Sequence, residues 1–149
     1  MSLASLYTTD FVALKDTDSV GEAAAHMLQH QVTDLPIVDA SGRLMGLFKL
    51  DRVFASLLPK AALLGYGIQD LGFVGQTFDT LREHMREIDH EPVTAFAVKP
   101  QTISPEGSPL EVVLLLYRGA NSVPVVQKDG KLVGMVSARD ILAALHQNA

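Results

Sequence analysis

Apolar positions in this 149-residue chain follow two periods. Val20, Ala23, Ala24, Met27 and Leu28 recur with helical spacing behind Ser19, so the pattern predicts an amphipathic helix with a serine cap. Leu35-Pro36-Ile37-Val38 and Leu44-Met45-Gly46-Leu47-Phe48 are short apolar runs separated by the turn residues Asp39, Ser41 and Gly42, which predicts a hairpin. Farther on, Phe78, Leu81, Met85 and Ile88 repeat at helical spacing after Thr77 until Pro92 stops them, and Ala61 to Leu64 reads as a shorter helix. Val112 to Tyr117 is apolar almost all round, a pattern expected of a helix buried on two sides and therefore of an oligomer interface.

The pattern is written twice. Pro36, Gly42, Leu44 and Gly46 return as Pro124, Gly130, Leu132 and Gly134 at an offset of 88, while Leu14, Ser19 and Glu22 match Ile103, Ser108 and Glu111 at 89. The second copy thus loses one residue near Arg118-Gly119, where helix turns to strand and an indel is tolerated. Each copy reads strand, helix, strand, strand, helix. The expected organisation is α/β (α+β), with repeats at 6–58 and 95–147 packed as a pseudo-twofold pair and a helical insert at 59–94.

Composition narrows the function classes. A net charge of −5 is a poor match to nucleic acid, and the absence of cysteine excludes disulfides, thiol chemistry and Cys-ligated metals. No apolar run approaches the ~18 residues of a membrane span, and no secretory leader precedes Lys15, so a cytoplasmic chain with no membrane partner is expected. Glu22, His26 and His30 lie opposite the apolar stripe and read as a solvated face, so no metal is expected. Gly65-Tyr66-Gly67 with Asp70 lacks the third glycine of a dinucleotide loop, and Asp89-His90-Glu91 are consecutive and do not converge as an acid–base pair.

The paired segments Asp34-Leu35-Pro36-Ile37-Val38-Asp39 with Gly42-Arg43-Leu44-Met45-Gly46, and Ser122-Val123-Pro124-Val125-Val126 with Gly130 to Asp140, resemble two cystathionine beta-synthase (CBS) domains in tandem. The resemblance implies a regulatory module, not an enzyme, that binds adenosine-containing ligands between its repeats. It also implies a flat homodimer. The family pattern G-h-x-S/T-x-x-D is intact at Gly134, Ser137 and Asp140, where the carboxylate would accept from the ribose hydroxyls and the helix start would favour phosphate. The implied site comprises Thr102, Ile103, Val123, Pro124, Ser137 and Asp140, with Arg139 as a lesser contact. In the first copy Ala13, Lys49 and Arg52 replace Thr102, Ser137 and Asp140, leaving Lys49 and Arg52 as candidate phosphate contacts.

No cofactor is required by this reading; AMP, ADP or ATP is the expected regulatory ligand, and S-adenosylmethionine and NAD share the same adenosine. Two other readings compete. Ser137 and Asp140 also form a helix-capping pattern, so the site could be structural and the chain a ligand-independent dimerisation and interaction module. An enzyme using the insert as a lid ranks last, because no nucleophile, metal set or phosphate loop is evident.

Overall fold

The structure is a computed structural model that describes residues 3–58 and 78–147. The proposed helix at Ala61 to Leu64 and the Gly65-Tyr66-Gly67 turn lie outside the described residues. In the first repeat β1 (Leu14–Lys15), α1 (Val20–His30), β2 (Asp34–Val38), β3 (Leu44–Lys49) and α2 (Leu50–Leu57) follow one another. Then come α3 (Phe78–Ile88), a 3-10 turn (Val93–Phe96) and β4 (Ala97–Val98). The second repeat contains α4 (Pro109–Tyr117), β5 (Ser122–Val126), β6 (Leu132–Ser137) and α5 (Ala138–His146). Its first strand is reduced to a parallel bridge between Ile103 and Val125.

Local chemistry explains the helix starts. Ser19 accepts from the Glu22 amide while Glu22 reaches back to the Ser19 amide, a complete capping box on α1. The backbone carbonyls of Glu91 and Asp89 accept from the Val20 and Gly21 amides at 2.9 and 3.0 Å. Asp89-His90-Glu91 therefore closes the open end of α1. In α3, Leu81, Met85 and Ile88 are half-buried, whereas Phe78 faces outward beneath Arg82, whose guanidinium lies 5.0 Å from its ring centroid.

The two repeats exchange segments. The first sheet runs β1-β2-β3-β4, so the strand leading into the second repeat completes the sheet of the first. Reciprocally, Thr8 pairs with Met135 and extends β6. The cores follow the same exchange: Val93 is buried with Leu14, Val20, Ile37, Phe48 and Val53, while Leu3 and Leu6 are buried with Val112, Val123, Val125 and Val136. The turn at Val93–Phe96 is the counterpart of the turn at Leu3–Ser5.

Gly46 and Gly134 make these crossings fit. A Cβ on Gly134 would run into the Tyr7 ring and lie 2.9 Å from the Thr8 carbonyl oxygen, and one on Gly46 would lie 3.0 Å from the Val98 carbonyl oxygen. Gly134 therefore accommodates the crossing chain. The repeats also meet at their hairpin turns, where the Leu44 amide donates to Gly130 O and the Leu132 amide to Gly42 O, both at 3.0 Å. Gly42 and Gly130 hold φ of 86° and 91°, a region other residues adopt at a cost.

α4 departs from its expectation. Only Val112 is buried, while Leu110 and Tyr117 are 79% and 86% exposed. One side packs on the repeat, and the other remains uncovered together with Leu142 and Leu145 of α5.

Candidate functional site

Segment exchange creates two clefts along the seam between repeats. The first, about 480 Å³, lies between the crossing segment Thr8 to Val12, the start of β2 at Thr33 to Pro36, and the β6–α5 junction at Ser137 to Asp140. That volume is in the range of small-molecule sites. The second, about 360 Å³, lies between Val98 to Gln101, the approach to β5 at Ala120 to Ser122, and the β3–α2 junction at Lys49. Asp34, Asn121 and Ser122 line both.

Ser137, Arg139 and Asp140 converge in the first cleft. The Ser137 amide and hydroxyl donate to Asp140 Oδ2 at 2.8 and 3.0 Å, and the Asp140 amide donates to Ser137 Oγ at 3.2 Å. This is a full capping box, so both residues start α5. The cap occupies only one carboxylate oxygen; Asp140 Oδ1 accepts no hydrogen bond among the described residues. Capping therefore orients the carboxylate and leaves an acceptor free.

The other expected contacts are elsewhere. Ile103, Val123 and Pro124 are core residues and line neither cleft. Thr102 is exposed and follows Gln101, a wall residue of the second cleft. The physical reason is the crossing: the segment entering a repeat lines the cleft beside the other repeat's final helix. The place expected for Thr102 beside Asp140 is consequently occupied by Phe11 and Val12. Arg52 is exposed and lines neither cleft, whereas Lys49 lines the second with Lys99 and Arg118. The wall residues Thr8, Asp10, Phe11 and Val12 escape sequence reasoning because nothing local marks a crossing; the offset of 89 that pairs Ala13 with Thr102 was the available signal.

Two hydrogen bonds cross the repeat boundary at the shared wall. Ser122 Oγ donates to Asp34 Oδ1 at 3.1 Å, and Asn121 Nδ2 donates to Thr33 Oγ1 at 3.4 Å. Burial pushes the Asp34 carboxyl above its ordinary value, opposed by the Ser122 hydrogen bond and the nearby Lys49. His26 also differs from its expected solvated setting: it is half-buried, its ring stacks on His30 with centroids 6.2 Å apart, and its Nδ1 has no hydrogen-bond partner among the described residues. Among the described residues no cluster of three or more His, Asp or Glu side chains is arranged to hold a metal, and no helix is long and apolar enough to cross a membrane.

The CBS domain family model matches residues 3–58 and 85–147. The chain belongs to the CBS domain family. The human 5'-AMP-activated protein kinase subunit gamma-3 is 25% identical over 138 residues, covering 88% of this chain and 24% of that subunit, so the CBS pair spans about a quarter of that relative. Among solved structures, the CBS-pair protein CBSX2 from Arabidopsis thaliana superposes with a TM-score of 0.75 at 21% identity, over 99% of this chain and 98% of that one. A structure of CBSX2 in complex with AMP gives 0.67 at 21% identity, over 97% and 95% of the two chains. These likenesses show the fold of the CBS pair. Its second matched segment starts at residue 85, inside the stretch expected to be insert.

Proposed function

We propose that this CBS pair is a regulatory sensing module that binds an adenosine-containing ligand of the AMP, ADP or ATP class in the first cleft. The observation that carries the reading is the Asp140 carboxylate, oriented by the Ser137 cap with Oδ1 left open in a cleft of about 480 Å³. Asp140 accepts from the ribose hydroxyls, Arg139 pairs with a phosphate, and Phe11, Val12, Pro36 and Met135 offer apolar surface to the base. The same cleft carries Asp10, Asp34 and Asp140 against the single guanidinium of Arg139, which favours AMP over ATP. The AMP complex of CBSX2 supports the ligand class.

Signalling follows from the shared wall. A ligand in the first cleft touches Thr33, Asp34, Asn121 and Ser122, whose hydrogen bonds join the repeats, and so binds one relative packing better than another. The reading assigns no catalytic residue and requires no cofactor; it includes a cytoplasmic chain with no nucleic-acid partner, in keeping with its net charge of −5. Titration calorimetry with AMP tests it. Saturable binding that weakens at least tenfold in Asp140→Ala supports the site, and unchanged affinity in that variant refutes it.

A second reading rests on the uncovered apolar face of α4 and α5, carried by Leu110, Leu114, Tyr117, Leu142 and Leu145. In it the face pairs two copies into a homodimer or holds a protein target, and the clefts are vestigial. Absence of AMP binding together with a stable dimer favours this alternative.

A further inference from the structure

The repeat relates the two clefts, yet their charges are inverted. Thr8 opposite Met135 matches Val98 opposite Leu47, so Lys99 of the second cleft corresponds to Thr9; at the offset of 88, Ser137 corresponds to Lys49 and His30 to Arg118. All three changes are toward positive charge. Among the described residues the second cleft is lined by three cationic side chains and one carboxylate, in a chain whose net charge is −5. The carboxylate, Asp34, accepts from Ser122 at the repeat boundary, and Lys49 Nζ lies 3.9 Å from Asp51, which is largely exposed. Lys99 and Arg118 form no ion pair among the described residues.

From this inversion we infer that the second cleft is a separate anion site, taking a compact multivalent anion of the pyrophosphate class without recognising a nucleoside. Convergent cations in a concave site raise the local concentration of anions, and an Arg fork with two ammonium groups suits phosphate oxygens. Ribose recognition is absent because Arg52 stands where the first cleft has Asp140. The phosphate tail of a nucleotide presents the same chemistry, so the site admits ATP through its tail only. Because this cleft does not contain Asp140, the inference stands or falls independently of AMP binding in the first.

Titration of the full chain with inorganic pyrophosphate at low ionic strength tests this. One saturable site per chain is expected, weakened at least tenfold by Lys99→Glu and by Arg118→Glu, and unchanged within twofold by Asp140→Ala. ATP should compete with comparable affinity, and adenosine should not compete. Both substituted residues are exposed, and Lys99→Gln, expected to weaken binding less than Lys99→Glu, guards against misfolding of the charge-reversed chain. No pyrophosphate binding, equal binding in both charge-reversed variants, displacement by adenosine, or ATP binding there more than tenfold tighter than pyrophosphate overturns the inference. Pyrophosphate binding without AMP binding supports it while refuting the nucleoside reading of the first cleft.

Discussion

Asp140→Ala separates the two roles of one carboxylate. In the free protein it removes the acceptor for the Ser137 amide and hydroxyl at 2.8 and 3.0 Å, a cap loss of about 1 kcal/mol. For a domain of this size that lowers the melting midpoint by roughly 2–4 °C. In the complex it also removes the acceptor for two ribose hydroxyls, each bond to a charged group contributing ~1.5 kcal/mol or more. Affinity for AMP should therefore fall by roughly 100-fold. At a concentration of ~100 times the wild-type Kd, AMP adds about 2.7 kcal/mol and raises the midpoint by ~5–10 °C; after a 100-fold loss it adds ~0.4 kcal/mol. Differential scanning fluorimetry with and without AMP reads both effects. Ser108→Ala is the control, since Ser108 caps α4 by accepting from the Leu110 amide at 3.1 Å and lines neither cleft. It should lower the midpoint by a similar amount and leave the AMP-induced rise intact. An Asp140→Ala chain that keeps the full rise would show that the carboxylate is a cap and nothing more.

Other consequences are equally direct. Gly134→Ala forces the Tyr7 ring and the Thr8 backbone away from β6, with an expected loss of about 1–3 kcal/mol in chemical denaturation; unchanged stability would mean that the crossing segment is not held there. Because burial raises the Asp34 pKa above 3.8, ionising it costs stability that mounts as pH rises through the interval from 3.8 to the raised value. Asp34→Asn should melt higher than wild type at pH 7, and the difference should vanish near pH 3; a variant that melts lower at pH 7 would contradict this sign. On the second reading, Leu114→Glu with Leu145→Glu should shift sedimentation toward the monomer, and an unchanged sedimentation profile would remove α4 and α5 from the pairing surface.

Sequence alone determined the parts of this protein that depend on neighbours along the chain. The 3.6-residue stripe of α1, the serine caps, the Asp-Ser-Gly turn of the hairpin and the doubled register are local physics, and each element lies where its period placed it. The cap at Ser137 and Asp140 was equally legible, since its donors and acceptors are three residues apart. Which residues face those two was not. The family resemblance implied Thr102 in one site with Asp140, but burial favours Leu3 and Leu6 in the second core and Val93 in the first, and so carries each entering segment across to the other sheet. That exchange sets Phe11 and Val12 beside Asp140, and Lys99 and Arg118 beside Lys49. Pattern and capping are energies of adjacent residues; cleft composition and its inverted charge arise from contacts between segments far apart along the chain, settled only when both cores close around the crossed strands.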